Sequence, residues 1–197
     1  MNTLVKIICS LSLLFSGSLL MGQTHLGLKL GSMIPEMISE EVTVSPLASF
    51  HGGIFIHHAL GEKLAAQAEA RYSYERLQNS QGFAAINMNT QMIRIPIELI
   101  YRPNTWWEVH LGPSIGYKLA QRDEVVSIEG IIPTSYMPVR LAKWEAGIEA
   151  GSAFALGERN KIGIRYYQAL TSSSRNNSFK GNQYQLGVYL STTLVKR

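Results

Sequence analysis

The chain contains eight runs in which apolar and polar residues alternate with a period of two. Successive side chains of a β-strand point to opposite faces, so this period predicts strands with one apolar and one polar face. The third run is the clearest example, with Leu64, Ala66 and Ala68 on one face and Gln67 and Glu69 on the other. The sequence therefore predicts an all-β protein.

The gaps between these runs are long and short in strict alternation. The long gaps are 34–48, 77–88, 120–139 and 171–183, and the short gaps are 61–63, 102–105 and 157–160. Transmembrane barrels have short turns at the periplasmic end and longer loops at the outer end. Several runs reach the roughly 9 to 11 residues that a tilted strand needs to cross a bilayer. This order predicts an eight-stranded antiparallel up-and-down transmembrane β-barrel, with its short turns in the periplasm.

Alternation alone leaves open which face of the barrel points outward. A soluble lipocalin-like barrel buries its apolar face, whereas a membrane barrel turns that face to lipid. The interior of an eight-stranded barrel is only just wide enough for side chains to fill, and the large residues of the apolar face would overfill it. The polar face combines charged residues with glycines such as Gly112, Gly116 and Gly147. We therefore expect the apolar face to contact lipid.

The first residues have the pattern of an export signal. Lys6 precedes an apolar run from Ile7 to Phe15, and small or weakly polar residues follow as far as Gly22. The run is too short for a transmembrane helix and is typical of a cleaved signal peptide. We expect a signal peptide at 1–22, a barrel domain at 23–197 and a location in the outer membrane of a Gram-negative bacterium. Cys9, the one cysteine, would be removed with the signal.

Composition excludes some classes of function. Charged residues make up 16% of the chain, below the roughly 25% of a typical soluble domain. The net charge of +4 is spread out without a basic cluster, so we expect no nucleic-acid partner. No residue pattern indicates a metal or another cofactor. The expected partners are outer-membrane lipid and another envelope or secretion protein, and the barrel is expected to be monomeric.

The polar face predicts a charge network inside the barrel. A buried unpaired charge is costly, so a narrow interior needs nearly balanced charges. A network of this kind either plugs the barrel or forms a gated pore or proton path, and we favour the plug because the interior leaves little room for water. Glu98 beside His110 suggests either a catalytic pair or, preferably, a hydrogen-bonded structural pair. The predicted network is Glu69, Arg71, Arg94, Glu98, Glu108, His110, Glu145, Glu149 and Arg165, with Glu75, Lys118, Lys143 and Lys161 on the same face.

Aromatic residues gather near the ends of the predicted strands. Such positions suit the two interfaces of a membrane, where an amphipathic ring has one wet side. The predicted interfacial aromatics are Tyr72, Tyr74, Tyr101, Trp106, Trp107 and Trp144.

Four segments resemble strands of the PorT-like outer-membrane barrels of Bacteroidetes, a family related in architecture to OmpA/OmpX-like eight-stranded barrels. They are IRIPIELIYR at 93–102, LGPSIGY at 111–117, WEAGIEAG at 144–151 and IRYYQAL at 164–170. They resemble the family patterns x-I-P-L-x-L-K-Y, G-P-x-x-G-Y, D-x-G-x-x-x-G and x-R-Y-x-x-G-L, in that order. The resemblance implies an eight-stranded outer-membrane barrel, in a family whose founding member assists a secretion system.

These observations favour a binding protein, or an accessory of an envelope or secretion complex, with a closed charged interior. A porin-like channel for small solutes is the first alternative. A lipid-modifying outer-membrane enzyme is the second, although no Ser and His spacing marks a catalytic pair. We expect no enzymatic activity and no catalytic, cofactor-binding or metal-binding residues.

Overall fold

The computed structural model describes residues 23–38, 43–81, 84–127, 142–171 and 182–196. Eight strands account for most of them: β1 (Thr24–Ile38), β2 (Thr43–Ala59), β3 (Leu64–Gln81), β4 (Ala84–Tyr101), β5 (Trp107–Ser127), β6 (Trp144–Ala155), β7 (Asn160–Ala169) and β8 (Asn182–Lys196). The described residues include no helix that is long and apolar enough to cross a membrane. The predicted signal peptide at 1–22 lies outside the described residues.

Every strand pairs antiparallel with the next, and β1 pairs with β8, so the sheet closes into a barrel. This confirms the predicted fold class. Three short turns, at 60–63, 102–106 and 156–159, connect strands at one end, which we call the turn end. The opposite end is called the loop end. Gly157 is the one described residue with a positive φ, 92°, a conformation that glycine adopts without steric cost.

The predicted long gaps at 34–48 and 77–88 are wrong, because strands occupy most of both. The hairpin of β3 and β4 continues as far as Gln81 and Ala84, with Leu77 opposite Met88 and Gln78 opposite Asn87. The third long gap also begins later than predicted, since β5 runs to Ser127. Backbone pairing does not require an apolar outer face, so the ladders continue where the lipid-facing pattern has ended.

Along most of the barrel the apolar side chains point outward. Ile97, Leu111 and Ile148 are 57%, 59% and 44% exposed, although each is large and apolar. The alternate positions on the same strands are buried and polar, as in Glu98 and Glu149. An exposed apolar band around a polar interior is the pattern of a transmembrane barrel.

Aromatic side chains form a belt at each end of this band. At the loop end, the rings of Tyr117 and Trp144 lie 4.7 Å apart and those of Phe50 and Tyr74 lie 5.3 Å apart. Tyr72 is exposed on the same strand as Tyr74, toward the loop end. At the turn end, Trp106 stacks on both Trp107 and Phe154, and Tyr101 is exposed at the end of β4.

The pattern of faces inverts beyond the loop-end belt. Here most of the buried inward side chains are apolar, apart from Thr90 and Gln183, and the apolar ones form what we call the apolar cap: Met33, Pro35, Leu77, Met88 and Met92. Arg76, Gln78 and Asn87 alternate with these residues and are partly exposed. Water, not lipid, favours a polar outer face and an apolar core. The described side chains of these strand extensions are therefore arranged as in a soluble sheet, with polar residues outward and apolar residues inward.

Candidate functional site: the charged interior and its mouth

The inward residues of β3 set the order of the charged layers. From the turn end to the loop end its polar inward residues are Gln67, Glu69, Arg71, Ser73 and Glu75, and all five are buried. Leu77 of the apolar cap follows Glu75 two residues later. Charged side chains from other strands meet each of these layers, so the interior is a stack of ion-pair clusters beneath the cap.

The outer cluster, nearest the apolar cap, is centred on Arg94. Its guanidinium donates to Glu75, to Glu145 at 2.9 Å and to the side-chain oxygen of Gln185 at 2.7 Å. The guanidinium carbon also lies 4.5 Å from the centre of the Tyr167 ring. The Tyr167 hydroxyl donates to Glu145 over 2.6 Å. One cation, two carboxylates, an amide and a ring thus meet inside the barrel at this level.

The central cluster contains three cations and two carboxylates. Arg71 donates two parallel hydrogen bonds to Glu149, of 2.6 and 2.7 Å. Arg165 bridges Glu149 at 3.0 Å and Glu69 at 3.3 Å, and Lys29 donates to Glu69 over 2.9 Å. Paired, bidentate geometry of this kind is what makes buried charges tolerable in a low-dielectric interior.

Glu98 and His110 form the next layer toward the turn end. The Nδ1 atom of His110 lies 2.6 Å from a carboxylate oxygen of Glu98, and Nε2 lies 3.1 Å from the Tyr189 hydroxyl. Gln67 donates to the other Glu98 oxygen over 3.0 Å. Glu98, His110 and Gln67 are all buried, so this arrangement has the contacts of a structural hydrogen-bonded pair.

Glu108 anchors a mouth cluster at the turn end. One of its carboxylate oxygens accepts hydrogen bonds from Lys161 at 2.6 Å and from the Nε of Arg102 at 3.0 Å. Arg102 also approaches His57, with 2.7 Å between Nη2 and Nε2. Between this cluster and Lys29 lies a cavity of about 30 Å³, a volume that suits a single water molecule. Outside the cluster, a larger cavity of about 810 Å³ opens between the short turns.

The glycines of the polar face leave room for this filling. Gly27, Gly31 and Gly163 lie directly opposite Phe55, His51 and Tyr189 on neighbouring strands. A Cβ atom on any of the three would overlap the ring opposite. Large side chains of the interior therefore occupy the space that these glycines leave.

All nine predicted network residues are buried in the interior. The structure brings them together as separate stacked clusters with different cations. The prediction for Lys143 is wrong, because its side chain is exposed at the loop end and does not lie on the interior face. It precedes β6, and only the strands carry the alternation that assigns a side chain to a face.

Two residues important to the interior were not among the predicted network. Lys29 contacts Glu69 and lies 3.9 Å from Glu98, which links the central cluster to the next layer. Its alternation with Leu28 and Leu30 is a signal that places it on the polar face. Arg102 carries no such signal, since it belongs to a turn and its side chain folds back into the mouth.

Residues 16–175 match the model of a family described as outer membrane protein beta-barrel domain. The chain belongs to this family. It is thus an outer-membrane β-barrel protein, and the short-turn end of such barrels faces the periplasm. Among the described residues, no three His, Cys, Asp or Glu side chains are arranged to hold a metal ion.

Solved structures of bacterial barrels resemble the fold. Neisserial surface protein A aligns with a TM-score of 0.54 and 12% identity, over 87% of this chain and 99% of its own. Ail, the attachment invasion locus protein of Yersinia pestis, gives 0.47 and 10%, over 86% and 98%. OprG from Pseudomonas aeruginosa gives 0.43 and 12%, over 88% and 95%. At these identities the likeness to neisserial surface protein A supports the fold alone. None of the curated protein sequences matches the chain significantly.

Proposed function

We propose that this outer-membrane barrel works by binding, as an accessory of an envelope or secretion complex, and that its interior does not conduct. The observation that carries the proposal is the stack of ion pairs between the apolar cap and the mouth cluster. The outer and central clusters contain eight charged residues, and with Glu98 there are nine. Each of the nine is at most 5% exposed. A filled interior leaves the surfaces of the barrel as its working parts.

The first alternative, a channel for small solutes, is tested by electrical recording. Purified protein is inserted into planar bilayers, with protein-free detergent as the control. We expect no stable conductance step, because Arg94 and its partners occupy the cross-section below the cap. Reproducible open levels that scale with salt concentration would refute the closed interior and favour the channel.

Export to the outer membrane and membership of the PorT-like barrels are part of the same proposal. The four strand motifs that resemble PorT-like barrels of Bacteroidetes, and a signal peptide at 1–22, support export to the outer membrane and work beside other envelope proteins. The test is affinity purification of the tagged barrel in mild detergent, followed by identification of the proteins retained. We expect a defined envelope protein at constant ratio. Recovery of the barrel alone, after chemical cross-linking in intact cells, would contradict an accessory role.

A further inference from the structure

The large cavity at the turn end has the dimensions of a ligand site. Its volume is about 810 Å³, within the roughly 300–1,000 Å³ of typical ligand pockets. All three short turns contribute to its wall, through Lys63, Asn104 and Arg159 among others, and the floor is formed by Glu108 and Lys161. Any ligand must enter from the periplasmic side, because the apolar cap and the ion-pair clusters fill the barrel beyond this floor.

The floor of this cavity carries an excess of positive charge. Glu108 is 7% exposed, and both Lys161 and Arg102 donate to the same oxygen of its carboxylate. Two cations therefore face one buried carboxylate. An ammonium has three hydrogens to donate, and Glu108 is the one described acceptor of Lys161, so an incoming carboxylate can bind without displacing the existing pair.

The rim adds two more cations. Lys63 and Arg159 are exposed on different turns, together with Glu62 and Glu158. The cavity as a whole is lined by four cationic and three anionic side chains. Trp106 and Trp107 complete one wall, which offers apolar surface beside the charges. This combination suits a chain of residues that carries carboxylates.

We propose that the periplasmic mouth binds an acidic peptide segment of a periplasmic or envelope protein; this inference rests on the proposed accessory function. A segment of a larger protein fits better than a small solute, because the mouth is open between the turns. Small ligands are usually enclosed over about 70–90% of their surface, whereas a peptide can enter at one end. The carboxylates of the segment then bind Lys161, Arg102 and the rim cations.

The test uses a dansyl-labelled hexaglutamate peptide and full-length protein in nanodiscs. A Trp144→Phe background removes the one tryptophan at the loop end, so that Trp106 and Trp107 at the mouth are the energy donors. Energy transfer to the dansyl group then reports binding at the mouth. We expect saturable transfer that weakens as salt screens the charges. The uncharged control, dansyl-hexaglutamine, should bind at least about tenfold more weakly, with each lost contact worth a few-fold.

Matched charge removals locate the site. Replacing Lys63 and Arg159 with glutamine should weaken hexaglutamate binding about tenfold in total, at about threefold per exposed charge. Replacing the exposed loop-end residues Lys143 and Arg122 with glutamine removes the same net charge and should leave binding unchanged. Both pairs lie on the surface, so neither change threatens the fold.

Three results would overturn the proposal. These are equal binding of hexaglutamine, equal loss in the loop-end control, and no energy transfer from the mouth tryptophans in folded protein. None of them bears on the closed interior, which the conductance measurement tests by itself. A non-conducting barrel that retains an envelope protein but ignores acidic peptides would keep the proposed function and refute this site.

Discussion

Removal of the Arg71 side chain should destabilise the barrel far more than removal of an exposed arginine. The guanidinium is 1% exposed and makes two hydrogen bonds to Glu149, of 2.6 and 2.7 Å. Arg71→Met keeps much of the volume but removes both bonds. Breaking a buried pair from one side costs about 3–5 kcal/mol, because the partner charge stays buried. Glu149 keeps Arg165 at 3.0 Å, so we expect about 3 kcal/mol.

The assay is equilibrium unfolding by urea in lipid vesicles, with tryptophan fluorescence and gel mobility as independent probes. Arg122→Met is the matched control, since Arg122 is an exposed arginine on the extension of β5. Surface substitutions of this kind change stability by about 0.5 kcal/mol or less. A double variant, Arg71→Met with Glu149→Gln, should cost less than the sum of the single changes, because no charge is then left without its partner.

Equal midpoints for the Arg71→Met and Arg122→Met variants would refute the reasoning. So would strict additivity in the double variant, because residues in one ion-pair network show coupling of about 0.5–3 kcal/mol. Either outcome would indicate that water reaches the central cluster and solvates Glu149 when Arg71 is removed. The interior would then be wetter than its ion-pair geometry implies.

Three further outcomes follow from the faces and ends of the barrel. Ile148→Arg should cost about 2–4 kcal/mol in vesicle unfolding, whereas Ile148→Ala should cost far less; equal stability would contradict the lipid-facing assignment. Gly163→Ala should cost about 1–3 kcal/mol, since its Cβ would lie 2.6 Å from the Tyr189 hydroxyl oxygen, while a Cβ on Gly61 meets nothing within 4 Å. In intact cells an impermeant maleimide should label Lys143→Cys, and it should label Gly61→Cys only after the outer membrane is opened; the reverse result would invert the topology.

Period-two alternation predicts strand number and faces well because a strand's geometry is local. Each side chain of β3 points opposite to its neighbour, so Glu69 and Arg71 are assigned to the interior without knowledge of their partners. Closure of the barrel follows from the same strands and the short turns between them. The pairs that span the barrel interior do not follow, since Arg71 meets Glu149 across the barrel and sequence order does not record that distance.

Period-two alternation cannot predict the direction of the Arg102 side chain or the faces of the last part of β5. Arg102 lies in a turn, where no periodicity assigns a direction, and Glu108 draws its guanidinium into the mouth. The pairing of β4 with β5 shifts between Gln91, which lies opposite Ala120, and Met92, which lies opposite Lys118. The residues of β5 beyond this shift therefore face inward in the opposite phase. A single extra residue in a strand reverses every later face, and the sequence carries no turn or glycine signal at that point.

Along β3, the polarity of the inward and outward side chains reverses near the loop end, so the two ends of the barrel interior differ in chemistry. Where lipid surrounds the strands, Ile97 and its neighbours face outward and the interior must be polar, so charges such as Glu69 must find partners inside. Above the loop-end belt water surrounds the strands, and Leu77 and Met88 turn inward as a core. Among the described residues, that core lies over the loop-end side of the charged stack. At the turn end the buried apolar side chains of Ala65, Ile100 and Ala153 leave the mouth open, and the stack ends in Glu108, Lys161 and an open cavity. Polar groups of the interior therefore meet water on the periplasmic side, at the mouth where we propose that an acidic segment binds.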